Sequence, residues 1–387
     1  MKTNFKFWLL LAFIAIGLQG CQEEDPIIPE EVVVLPPEVV TTVDGFYLLN
    51  EGNMNMNKAS LDYYDYATGT YRRNVYGQAN PDATLGLGDV GNDIGVYGSK
   101  VYAVINNSNK IEVMDATTSK RLKVIEVKNC RYITFANGKA FASAYDGEVE
   151  LGENSPNGFV AEIDTTALQI TRTVKVGRQP EEMAVVGDKL YVANSGGYSP
   201  PNYEKTISVI DLKTFTKTKD IEVAINLHRL EADADGDLYV SSRGDYYDIP
   251  SKLYVIDTKT DQIKKSFDIA CSNLTIVGDK AYIIGSEFSY TTFDYKINYS
   301  VIDVKSETLL SGSFLPKAVT DEIKTPYGLA VDPISLNIFV TDAGDYVSPG
   351  KLYCIDQNGQ TKFTVTTGDI PAHFAFKLKK TIKTKNP

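Results

Sequence analysis

The chain carries few of the parts from which a catalytic centre is built and many of those with which a ligand is gripped. Only two histidines occur, His228 and His373, and there is no HExxH zinc motif, GxSxG nucleophile elbow or P-loop. Hydrolysis by an activated serine or a bound zinc therefore lacks its components. Gly86-Leu87-Gly88-Asp89-Val90-Gly91 matches GxGxxG but precedes a strand pattern and sits in no βαβ unit, so no dinucleotide site is expected. Asp233-Ala234-Asp235-Gly236-Asp237 looks like a calcium loop, yet it falls where a hairpin turn belongs and lacks the downstream glutamate, so no metal is assigned. Tyrosine is the abundant chemistry, with 24 residues. These crowd into long irregular stretches: Tyr145 to Asn157, Asn194 to Lys205, Arg243 to Ser251, Ser286 to Asn298 and Asp342 to Gly350. Phenolic rings supply broad, stiff contact area with a hydroxyl at the edge, which suits binding. The candidate ligand contacts in these stretches are Tyr145, Tyr198, Tyr203, Arg243, Tyr246, Tyr247, Phe288, Tyr290, Tyr295 and Tyr346. Connections between repeat units add Tyr76, Arg131, Arg178, His228, Arg229 and Tyr327. No catalytic residue and no resident cofactor is assigned.

Something must hold these stretches together, and the repeat pattern says what. A short apolar strand, a Gly or Asn turn, a strand with a central aromatic, a variable loop and a strand ending in Asp recur along the chain. The aspartates are Asp65, Asp115, Asp164, Asp211, Asp257, Asp303 and Asp356, spaced by 50, 49, 47, 46, 46 and 53 residues. That period suits a four-stranded propeller blade, so the expected fold is all-β, a seven-bladed β-propeller. The first copy lacks its innermost strand and an orphan strand, Ala372 to Leu378, follows the seventh; the ring is expected to close by this strand joining the N-terminal blade. Running each blade from inner to outer strand places the tyrosine-rich stretches and the blade-to-blade connections on one face. Economical turns such as Asn137-Gly138-Lys139 and Gly187-Asp188-Lys189 occupy the other.

With 43% hydrophobic residues and a formal charge of -11, the chain has material for a large core and repels nucleic acid phosphates. Residues 1–20 read as a signal segment: Lys2 and Lys6 precede an apolar run from Phe7 to Leu18. Leu18-Gln19-Gly20-Cys21 resembles a bacterial lipobox, with Cys21 as the lipidated residue and Gln19 departing from the usual small or β-branched residue. The acidic Gln22-Glu23-Glu24-Asp25 resembles the signal that sends Bacteroidetes lipoproteins to the outer face of the outer membrane. The domain reading is a signal peptide over 1–20, a lipidated Pro-rich tether over 21–43, the propeller over 44–378 and a loose tail over 379–387. The membrane is reached through the lipid alone, and Cys130, Cys271 and Cys354 read as buried thiols.

The phrase Gly187-Asp188-Lys189-Leu190-Tyr191-Val192-Ala193-Asn194, followed by Ser208-Val209-Ile210-Asp211, resembles the YncE-like, surface-layer type of seven-bladed propeller. With the lipobox, the acidic export signal and the tyrosine-rich face, the chain resembles the BtuG family of Bacteroidetes surface lipoproteins. That resemblance implies capture of cobalamin outside the cell and delivery to a BtuB-type TonB-dependent outer-membrane barrel, with no chemistry on the ligand. A corrin ring, with its apolar face, amide fringe and phosphate, matches flat aromatics, amides and a few arginines. The alternatives are a glycan-binding surface lipoprotein, a propeller lyase or hydrolase using His228, Arg229 or Glu231, and an adhesive module.

Overall fold

Each repeat turns where its marker aspartate stands, and the cause is local. Asp211 Oδ1 accepts hydrogen bonds from the backbone N–H of Lys213 and Thr214 at 2.9 and 2.8 Å. Asp115 does the same for Thr117 and Thr118, and Asp257 for Lys259 and Thr260. The carboxylate caps the turn that starts the outermost strand, which is why the residue recurs.

The computed structural model describes residues 38–383 apart from 148, 150, 153, 154 and 291. The signal segment, Cys21 and most of the expected tether lie outside the described residues. The chain divides into Thr41–Lys379, which carries the propeller, and a second unit of the flanking residues 1–40 and 380–387. Seven four-stranded antiparallel sheets follow one another, each a blade. Blade 1 contains Glu38–Asn50, Ser60–Asp65 and Thr70–Arg72, and its fourth, innermost strand is the last of the chain, Pro371–Lys383. Blades 2 to 7 begin at Gly91, Cys130, Pro180, Leu227, Asn273 and Pro326 and run from inner to outer strand in sequence order.

The first strand starts at Glu38, inside the stretch expected to be tether, and the last runs to Lys383, into the expected tail. The β-branched run Val39-Val40-Thr41-Thr42-Val43 explains the first extension: it follows the last proline of the tether and favours extended backbone. The central aromatic of each second strand fills the wedge between blades. Tyr47, Tyr102, Phe141, Tyr191, Tyr239, Tyr282 and Phe339 are all buried; Tyr102 and Tyr239 lie among aliphatic side chains of the neighbouring blade, and Phe339 among Phe46, Phe374 and Phe376 of blade 1.

The inner strands carry the detail that matters for function. In blades 2, 3, 4, 5 and 7 the pairing register slips at the strand opening: Gly91/Asp93, Cys130/Ile133, Pro180/Met183, Leu227/Leu230 and Pro326/Leu329. Such bulges free consecutive residues from the ladder. Arg131 and Tyr132, Glu181 and Glu182, and His228 and Arg229 therefore come to the ring axis as pairs. His228 and His373 sit one and two residues inside their strands, whereas Cys130, Pro180 and Pro326 open theirs. The three described cysteines are free and buried.

Candidate ligand-binding mouth

Two adjoining hollows open on the tyrosine-rich face. The first is lined by His228, Arg243, Tyr246, Phe288 and Glu287 among others, and encloses about 510 Å³ including space open to solvent. The second, about 620 Å³ by the same measure, is lined by His228, Arg229, Tyr295, Tyr327, Tyr346 and His373. His228, Ser272 and Ser286 belong to both, so the hollows form one depression with a shared wall.

The loops that wall it are held by recurring devices. Asn226 Nδ2 donates to Gly244 O at 3.0 Å, Asn129 Nδ2 to Gly147 O at 2.7 Å and Thr325 Oγ1 to Gly344 O at 2.7 Å, so a residue next to an inner strand pins the loop leaving the second strand. Gly244 has φ +63°, and a Cβ there would meet Ile249 O at 1.9 Å; no side chain fits. The backbone N–H of Ser251 donates to Glu287 Oε1 at 2.7 Å, tying the loop of blade 5 to blade 6. The stretch Ser286 to Asn298, expected as an irregular loop, is a continuation of the hairpin: its strands are Lys280–Ser289 and Asp294–Asp303. Alternating Tyr295, Ile297 and Tyr299 supply the period-two pattern that was legible there.

A polar block braces the other side of the mouth. Glu181 is almost fully buried, and its Oε2 accepts from Arg131 Nη2 at 3.1 Å. Its Oε1 accepts from Tyr145 Oη at 2.9 Å, Ser195 Oγ at 3.3 Å and Arg243 Nη1 at 3.3 Å. Burial works against the charge of this carboxyl, but Arg131 and Arg243 hold it below the ordinary glutamate range. Tyr132 Oη and His228 Nε2 lie 2.8 Å apart. Burial, then Arg243, Arg229 and Arg131, keep His228 well below the usual histidine range, so its imidazole is neutral. At the facing rim, Glu51 accepts from Tyr327 Oη at 2.8 Å and lies 3.1 Å from His373 Nε2.

Of the sequence-selected residues, His228, Arg229, Arg243, Tyr246, Phe288, Tyr295, Tyr327 and Tyr346 line the hollows. Tyr290 stacks on Tyr247 at 5.1 Å and meets Phe288 edge-on at 5.0 Å, placing both tyrosines at the rim. Arg131 and Tyr145 belong to the Glu181 block, with Tyr198 against Tyr145 at 6.2 Å. Arg178, at the end of the outer strand of blade 3, braces the loop between the second and third strands of blade 4 through Glu204 Oε1 at 2.9 Å and Asn202 O at 2.6 Å; Tyr203 lies on that loop, towards Tyr246 and Tyr247. Tyr76 is a correction. It lies in the short helix α1 (Val75–Ala79), fully buried between blades 1 and 2, with Oη 3.0 Å from Glu112 Oε1 and 2.5 Å from Arg121 Nη2. The long connection after blade 1 runs outside the ring, which the repeat register did not reveal. Missed by the sequence reading were Glu181, Ser272, Ser286 and Glu287, whose only signal is their place beside inner-strand openings and hairpin ends.

Beneath the mouth, the channel holds Asp93, Glu182 and Glu231. Each accepts from a backbone N–H of the inner strand of the following blade: Asp93 from Ile133, Glu182 from Leu230 and Glu231 from Ile276, at 2.7–2.9 Å. Burial pushes Asp93 up to about 6 and, with Glu182 nearby, Glu231 up to about 8.

Comparison with known proteins bears on the fold. A family model described as a domain of unknown function, DUF5074, matches residues 44–360. No curated protein matches the chain. Among solved structures, Kuenenia stuttgartiensis hydrazine synthase shares 15% identity at a TM-score of 0.58, covering 76% of this chain and 95% of that one. The Neurospora crassa Pan2 WD40 domain shares 10% at 0.53, covering 74% and 79%. A chain of the mitotic checkpoint complex shares 11% at 0.53, covering 93% and 91%. At such identities the likeness is one of fold, and it holds although this chain lacks the Trp-Asp marks of a WD40 array.

Proposed function

We propose that this chain, which belongs to the DUF5074 family, is a ligand-capture protein. In this reading it is a lipoprotein anchored through Cys21 at the outer face of the outer membrane, taking up cobalamin in the mouth and handing it to a TonB-dependent barrel. The observation that carries the reading is the double hollow whose parts share His228, Ser272 and Ser286 and whose aromatic walls come from blades 5, 6 and 7. Phe288, Tyr295, Tyr327 and Tyr346 offer flat apolar surface for a wide ring; the amides and arginines around them suit a polar fringe.

Of the residues named for an enzymatic reading, His228 lines the mouth, Glu231 lines the channel below it and Arg229 lines both. His228 and Glu231 thus face different hollows, which favours capture over a reaction that needs the two together.

The test is gel filtration of the full chain carrying Cys21→Ser, mixed with cobalamin at micromolar concentration. Co-elution of the red ligand with the protein is expected, and a colourless protein peak rejects cobalamin as the ligand. The exposed, stacked pair Tyr247 and Tyr290 suits the face of a sugar ring as well, so a glycan array on the same protein decides for that second reading.

A further inference from the structure

The junction of the two hollows is rich in cationic donors that the fold leaves underused. Arg243 makes a single, long contact, Nη1 to Glu181 Oε1 at 3.3 Å, and that oxygen is already shared with Tyr145 and Ser195. The other oxygen of Glu181 is taken by Arg131. One carboxylate thus serves two guanidiniums, each with five N–H donors. Arg229 spends Nε on Ser272 O at 2.9 Å and Nη1 on Glu182, which leaves Nη2 without a partner among the described residues. Ser286, on the wall common to both hollows, has a hydroxyl with no hydrogen-bond partner there either.

The electrostatics agree with this donor count. After burial, the largest influences on His228 are Arg243, Arg229, Arg131 and His373, all cationic when charged. Three guanidiniums, Arg131, Arg229 and Arg243, share two carboxylates, Glu181 and Glu182, in a chain whose net charge is -11. Among the lining residues of the two hollows Glu287 is the one carboxylate, and its Oε1 is held by the Ser251 backbone.

Resting on the reading of the mouth as a capture site, we infer that this junction receives an anionic group of the ligand, a phosphate or carboxylate, between Arg243 and Arg229. The Ser286 hydroxyl and the free nitrogen of the neutral His228 ring complete the cradle. Charge-assisted hydrogen bonds from partly desolvated guanidiniums are the strong kind, and here they fix how a flat ligand is oriented in an otherwise aromatic depression.

Two sets of probes test this on the full chain carrying Cys21→Ser. In saturation-transfer NMR, phenyl phosphate is expected to bind where phenol at equal concentration does not. Arg243→Gln should weaken phenyl phosphate about tenfold or more, with Arg243→Lys restoring part of the loss. Phenol binding as well as phenyl phosphate, or indifference to Arg243→Gln in a variant with unchanged circular dichroism, overturns the inference. The second set compares cobalamin with cobinamide, which lacks the nucleotide and its phosphate. Cobinamide should bind at least about tenfold more weakly, and Arg243→Gln should erase that difference. If neither corrinoid binds while phenyl phosphate does, cobalamin is wrong and the anion site stands. If both corrinoids bind alike and phenyl phosphate does not, the anion site is wrong and capture stands.

Discussion

Arg131 of blade 3 and Glu181 of blade 4 meet between neighbouring inner strands, Nη2 to Oε2 at 3.1 Å, with the carboxylate side chain only 2% exposed. Through Tyr145, Ser195 and Arg243 the same carboxylate joins three blades on one side of the mouth.

Removing that hub leaves two half-buried guanidiniums short of an acceptor. Glu181→Ala is expected to lower the unfolding free energy by about 3–5 kcal/mol, the usual effect of breaking a buried ion pair from one side. Urea denaturation measures it; a loss under about 1 kcal/mol shows that water or neighbouring groups take over the hub's role.

The channel carboxyls set a pH dependence of definite sign. Glu231 has its folded pKa raised from the ordinary 4.5 up to about 8. The unfolded chain therefore loses this proton first, and stability falls as pH rises, by roughly 1.4 kcal/mol per unit, until the folded group also ionises. Asp93, raised to about 6, adds to the slope only at lower pH, and His228, held well below its ordinary value, adds a slope of opposite sign through the unfolded histidine range near 6.5, so the window above about 7 and up to about 8 isolates Glu231. Glu231→Gln can still accept from Ile276 and should flatten the curve in that window. An unchanged slope in the variant means that another group titrates.

Tyr76 separates scaffold from site. Tyr76→Phe removes its contacts with Glu112 and Arg121 and should cost about 1.5–3 kcal/mol of stability. Ligand affinity should not change, since the residue lies between blades; a parallel fall in affinity with stability intact returns Tyr76 to the mouth.

Within the site, truncation should discriminate between wall and surroundings. Tyr295→Ala and Phe288→Ala remove aromatic surface from the hollows and are expected to weaken ligand binding about tenfold or more. Tyr198→Ala, on the far side of the Glu181 block, should have a much smaller effect. Titration calorimetry ranks the three, and equal losses argue that the aromatic face acts as a whole.

The fold was readable because its repeat is enforced locally. The marker aspartates cap turns and the central aromatics fill wedges, so each copy carries the same physical demand. The candidate site was readable in composition and in face but less so in membership. Loop tyrosines announce themselves by type, whereas Glu181 and Ser286 look like any strand residues until a bulge or a hairpin end brings them to the axis. Tyr76 shows the converse: position after a blade pointed it to the mouth, and an 18-residue connection, from Arg73 to Val90, carried it elsewhere.

Blade 1 is assembled from both ends of the described chain, with Pro371–Lys383 beside Glu38–Asn50. Its first three strands must wait, through the making of six other sheets, for the segment that completes them. During synthesis the growing polypeptide thus keeps one ladder unfinished until Pro371–Lys383 has emerged, and a copy cut short before Pro371 would expose that waiting edge to proteases and to its neighbours.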